Sequence, residues 1–163
     1  MWMLSRKLSV GRSALQVYTS PHATTDLDPE PALVTMINSA KTSIVAGTYS
    51  FTLASVAQAL IAKHAAGVPV RIAADAGEYT PTSQYPALRA AGIDIRVWGS
   101  RYDLQHMKVV VVDGKKVAWG SYNFSTNAEK ANFEVLTITT NTQLATVLTA
   151  NIQAAYDKGS TPV

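Results

Sequence analysis

The segment HMKVVVVDGKKVAWGSYN, His106 to Asn123, holds one of only three histidines in a chain of 163 residues. Its four consecutive valines, Val109 to Val112, read as a strand, and their β-branched side chains suit the interior of a sheet covered on both faces. Asp113-Gly114 is a strong hairpin signal, and KKVAWGSYN then returns as a second strand.

Residues two apart on a strand share a face, so His106 and Lys108 point the same way, about 7 Å apart, as do Ser121 and Asn123. A two-residue loop at Asp113-Gly114 pairs Val112 with Lys115 and His106 with Ser121. A four-residue loop opposes His106 to Asn123. Both registers gather the four polar side chains on one face, whereas a three-residue loop separates them. The cluster combines an imidazole that titrates near neutrality with an ammonium, a hydroxyl and a carboxamide. It suits a phosphate: Lys108 neutralises charge, Ser121 and Asn123 donate hydrogen bonds, and His106 attacks phosphorus or moves a proton. Taken alone, His-x-Lys also fits a strand whose polar ends reach solvent.

Outside this segment, short β-rich runs alternate with helical patterns, which indicates an α/β domain. Strands are predicted at Ala14 to Ser20, Ser43 to Phe51, Val68 to Ala76, Ile93 to Gly99 and Phe133 to Thr139. Helices are predicted at Pro31 to Lys41, Leu53 to Gly67, Ser83 to Ala91 and Thr142 to Lys158, with Gly67 and Gly92 as stops. The length suits one domain over 1–163, with a core of about 13–158.

Hydrophobic residues make up 47% and charged residues 15%, enough apolar content for a sizeable core. The formal charge of +3 favours an anionic partner without identifying it. Arg6, Lys7 and Arg12 form a loose basic group, with Lys115 and Lys116 as a second. The absence of cysteine excludes disulfides and thiolate metal sites. No apolar run reaches the length of a membrane span or a signal peptide, so a soluble protein is expected. Its compartment stays open between cytoplasm and a mature periplasmic or secreted form. His22 reads as a loop residue and His64 as a helix-end residue. The histidines lack metal-site spacing, and neither a G-x-S-x-G elbow nor a Walker loop occurs.

The string matches HxKx4Dx6GSxN residue for residue and so resembles the phospholipase D superfamily. Six identities at fixed spacing would arise by chance on the order of once in a million chains of this length. Within that superfamily the chain is similar to the small single-motif Nuc-type bacterial endonucleases. The likeness runs from about Leu15 to Tyr156, although the usual Arg-Gly before the third strand is here Ala66-Gly67.

The resemblance implies a phospholipase D/nuclease-like sandwich, with the mixed sheet flanked by helices on both faces. It implies a metal-independent phosphodiesterase, without cofactors, that passes through a phosphohistidine on His106. Lys108 and Asn123 would bind phosphate oxygens, Ser121 would assist, and Glu134 would hold the imidazole. Asp113 belongs to the signature but is expected to support the hairpin turn. One imidazole cannot be nucleophile and leaving-group acid in one step, and neither His22 nor His64 begins a second motif. A homodimer sharing one active site is therefore expected. Nucleic acid is the first expected substrate, DNA with RNA left open. A lipid phosphodiesterase or transphosphatidylase is the alternative, and a noncatalytic nucleic-acid-binding module is a third reading. Trp98, Tyr102, Trp119, Tyr122 and Phe124 flank the motif and suit either packing or base stacking.

Overall fold

A computed structural model describes residues 8–10, 13–21 and 27–162. The amino-terminal basic group and His22 lie outside them. The strands are β1 (Leu8–Val10), β2 (Ser13–Ser20), β3 (Ile44–Thr48), β4 (Val70–Asp75), β5 (Asp94–Trp98), β6 (Val109–Val112), β7 (Lys116–Gly120) and β8 (Glu134–Thr140). The helices are α1 (Pro29–Asn38), α2 (Ala54–Ala65), α3 (Tyr85–Ala90), α4 (Thr126–Lys130) and α5 (Thr142–Lys158). One sheet runs in the order β1-β2-β8-β7-β6-β3-β4-β5. Its β3, β4 and β5 are parallel, and the remaining pairs are antiparallel. This is the expected mixed sheet with helices on both faces.

The four valines of β6 explain the layering. Val110 and Val112 enter a core with Leu33 and Ile37 of α1, Val56 and Leu60 of α2, and Leu88 of α3. Val109 and Val111 point the other way, into a core with Ala145, Ile152 and Tyr156 of α5. A central strand covered twice has no solvent face, so its sequence loses the alternation of a half-exposed strand.

The hairpin register differs from both expected registers. Val112 pairs with Lys116 and Val109 with Trp119, so the loop has three residues, Asp113 to Lys115. Asp113 and Gly114 take positive φ, 55° and 60°. The Asp113 carboxylate accepts the backbone N–H groups of Lys41, Thr42 and Ser43 at 2.7–3.1 Å, and the Thr42 hydroxyl at 3.0 Å. These bonds occupy N–H groups that a longer α1 would have used. Hence α1 closes at Asn38 rather than Lys41.

Desolvation alone would raise the Asp113 carboxyl, but those hydrogen bonds outweigh it and lower it to about 2. A depressed carboxylate stabilises the fold above the unfolded value, near 4, and that contribution fades as pH falls toward 2. Replacing Asp113 with alanine removes the bonds and leaves a β-carbon at positive φ. The expected loss is about 1–3 kcal/mol at pH 7, after allowance for solvent exposure. Urea unfolding at pH 7 and near pH 2.5 checks this, because the difference from wild type should shrink in acid.

Two elements escaped the sequence reading, β1 and the five-residue α4. Neither is long enough to display a period. Ser125 caps α4, accepting the Ala128 N–H at 3.3 Å. The α4 carboxylate Glu129 is buried and accepts from the Tyr122 hydroxyl. Burial raises the Glu129 carboxyl from 4.5 toward neutrality; the Tyr122 bond opposes this, while Asp28 and Glu30 reinforce it. The folded state thus binds more protons than the unfolded chain from about pH 4.5 up to neutrality, and stability falls as pH rises through that window. Glu129→Gln keeps the acceptor for Tyr122 and removes the charge. Its Tm should exceed that of wild type at pH 8 and converge with it near pH 4.5; parallel Tm curves would contradict this assignment.

Candidate active site

His106 and Lys108 precede the ladder, since β6 begins at Val109. They meet at one ring. The His106 imidazole stands edge-on to Tyr49, centroids 4.6 Å apart, and the Lys108 ammonium lies 4.9 Å from the same centroid. Tyr49 follows β3 directly, and β3 pairs with β6, which brings the three together. His106 is exposed, whereas Lys108 is only 7% exposed. The Lys108 Nζ donates to the His106 carbonyl at 2.8 Å. Burial pulls the Lys108 pKa below 10.5, and the charges of Glu134 and Glu78 resist that shift. A buried ammonium near the chain that carries an exposed imidazole is suited to hold an anion against it.

Ser121 and Asn123 leave the end of β7 through a bulge. The N–H groups of Ser121 and Tyr122 both donate to the Val135 carbonyl, at 3.0 and 3.4 Å, so two residues oppose one. This extra residue interrupts the alternation on which the three-residue-loop objection rested. The Ser121 hydroxyl oxygen accepts the Val135 N–H at 3.1 Å and keeps its own proton for another acceptor. Phe124 bridges to Phe51, and its carbonyl accepts from Thr52 and Leu53. Asn123 is thereby fixed beside the segment that carries Tyr49. Its carboxamide oxygen is buried with no hydrogen-bond partner among the described residues.

Glu134 opens β8 and accepts from Asn132 Nδ2 at 3.1 Å, rather than from His106. It is close enough for its charge to act on Lys108. Asp113 is not part of the cluster, lying at the far end of β6, about 16 Å along the strand from Lys108.

Tyr49, Glu78, Asp75 and Gln105 were not singled out from the sequence. Glu78 reaches Tyr49 as well as Lys108. Asp75 ends parallel β4 and Tyr49 follows parallel β3, the strand ends where open α/β sheets build sites. That rule was the available signal. The flanking aromatics divide: Tyr122 and Phe124 are buried, Trp119 packs on the α5-side core, Trp98 lies 5.2 Å below Lys158 Nζ, and Tyr102 is exposed. His64 lies in the last turn of α2, and its Nδ1 is buried with no hydrogen-bond partner among the described residues. Among the described residues, no group of three metal-ligating side chains occurs and no helix is long and apolar enough to cross a membrane.

Residues 33–156 match the family model described as cardiolipin synthase, PLD-like domain. A mitochondrial cardiolipin hydrolase of Danio rerio is 37% identical over 107 residues, 65% of this chain and 47% of that protein. The chain spans about half the length of the curated relatives it matches. The crystal structure of Nuc from Salmonella typhimurium, a phospholipase D family member, superposes with a TM-score of 0.80 at 32% identity, covering 91% of this chain and 97% of that one. NucT from Helicobacter pylori gives 0.82 at 25% identity, covering 90% and 98%. With the signature string running along β6 and β7 and these likenesses across the fold, the chain belongs to the phospholipase D superfamily and is of the Nuc type.

Proposed function

We propose that this phospholipase D superfamily phosphodiesterase is an endonuclease that hydrolyses DNA without a metal, through a phosphohistidine at a homodimer interface. The observation that carries the reading is the near end-to-end likeness to Nuc, 91% of this chain against 97% of that one. The mild positive charge of the chain agrees with an anionic polymer as substrate.

In this reading an imidazole nitrogen of His106 attacks phosphorus while the bond to the leaving oxygen breaks. That oxygen takes a proton from the imidazolium of the second subunit's copy. Water then attacks the phosphohistidine, gives its proton to the same second imidazole, and the P–N bond breaks. Lys108 and Asn123 hold nonbridging oxygens, with Ser121 donating its free proton. Glu134 reaches the imidazole when subunit and substrate are in place and fixes its tautomer. An apolar strip supports the dimer. Val17 and Val135 are partly exposed on the sheet face opposite Leu136 and Ile138, and Phe133, next to Glu134, is 92% exposed.

A second reading is a lipid phosphodiesterase using the same site, favoured by the identity with the cardiolipin hydrolase. The deciding experiment gives purified protein plasmid DNA in one arm and cardiolipin vesicles in the other, both in excess EDTA. Cleavage of the plasmid alone supports the endonuclease. Turnover of lipid alone moves the substrate to the bilayer, and inactivity in EDTA restored by a divalent ion defeats the metal-independent mechanism.

A further inference from the structure

We propose that Asp75 and Gln105 are positioning residues that set the His106 backbone for attack at phosphorus, an inference that rests on the phosphodiesterase reading. Residues 105–108 lie outside the β-ladder, so sheet hydrogen bonds do not place them. A side-chain brace does. The Gln105 N–H donates to Asp75 Oδ2 at 2.8 Å, Gln105 Nε2 donates to the Ala73 carbonyl at 3.0 Å, and the Met107 N–H donates to Gln105 Oε1 at 3.2 Å. The other Asp75 oxygen accepts the Gly77 N–H at 2.8 Å. His106 is therefore gripped on both sides through its neighbours, while its own side chain remains exposed.

Two observations separate this brace from ordinary core packing. Asp75 and Gln105 are each 2% exposed, and burying a carboxylate and a carboxamide is costly where apolar side chains of similar volume would fill the space. Two glycines also make room for it. A β-carbon on Gly47 would lie 3.0 Å from Gln105 Nε2 and 3.1 Å from Met107, and one on Gly99 would lie 2.8 Å from Asp75 Oδ2.

The test uses Gln105→Met, which keeps volume but removes both side-chain bonds, and Gly47→Ala, which keeps every bonding group but pushes on them. Steady-state hydrolysis of bis(p-nitrophenyl) phosphate separates kcat from KM, and Tm and amide exchange at Met107 are read alongside. The expected result for both variants is a kcat lowered about 10- to 100-fold with KM within about twofold. The Met107 amide should exchange faster in Gln105→Met, with both proteins fully folded at assay temperature. Wild-type kcat in the folded variants, a loss confined to KM, or a loss that tracks the unfolded fraction would overturn the proposal. If wild type turns over no phosphodiester, the phosphodiesterase reading fails instead. Met107 exchange then judges the brace by itself, and an unchanged rate in Gln105→Met sinks it.

Discussion

Replacement of His106 by alanine is expected to lower phosphodiester hydrolysis by at least about 10⁴-fold, because it removes the nucleophile and the leaving-group acid from the first step and the base that takes the proton of water from the second. The fold should survive. His106 is exposed and lies outside the ladder, so its side chain is not part of the core. Plasmid cleavage in EDTA with far-UV circular dichroism on the same samples measures both halves of the expectation. A subunit-mixing experiment sharpens it. If each site needs the imidazoles of two subunits, equal amounts of wild type and His106→Ala, unfolded and refolded together, form active dimers only from two wild-type chains. Activity should then be about a quarter of that of the same total protein as wild type, by random pairing about a two-fold axis. One half would mean that each chain works alone and would remove the shared site from the mechanism.

Gly120→Ala should produce the largest loss of stability, about 3–5 kcal/mol, because a rigid contact rather than a missing one is created. A β-carbon there would lie 2.0 Å from the Val135 carbonyl oxygen and 3.0 Å from its carbon. That oxygen cannot easily retreat, since it accepts the N–H groups of Ser121 and Tyr122 and belongs to β8. A drop in Tm of about 10 °C is expected for a chain of this size. The bulge also delivers Ser121 and Asn123 to the site, so activity should fall even in the fraction that folds. Urea unfolding with activity measured below the transition tests both statements; a Tm within about 2 °C of wild type would show that β7 and β8 part without cost.

Much of the fold was legible along the chain because it is encoded locally. The apolar run Val109 to Val112 announces a strand covered on both faces, and Thr142 to Lys158 is one helix with the boundaries its pattern suggests. The hairpin was recognisable from Asp113-Gly114, but its length was not. Loop length there depends on where the Asp113 carboxylate finds its donors, and those belong to Lys41, Thr42 and Ser43, some 70 residues away in sequence. The placement of Ser121 and Asn123 was hidden for a similar reason, since the bulge exists only when β8 lies alongside.

The sequence by itself determined the α/β class and the order of the principal elements, and it marked His106, Lys108, Ser121 and Asn123 as the candidate set. Periodicity, turn chemistry and side-chain type are properties of residues close together in the chain. Only the tertiary structure decided the surroundings of that set. Tyr49 meets His106 and Lys108 because β3 pairs with β6, and Asp75 meets Gln105 because β4 ends beside the segment that carries His106. Such contacts join residues 30 to 60 positions apart through pairings of whole strands, and the residues between them carry no mark of the partner they bring near.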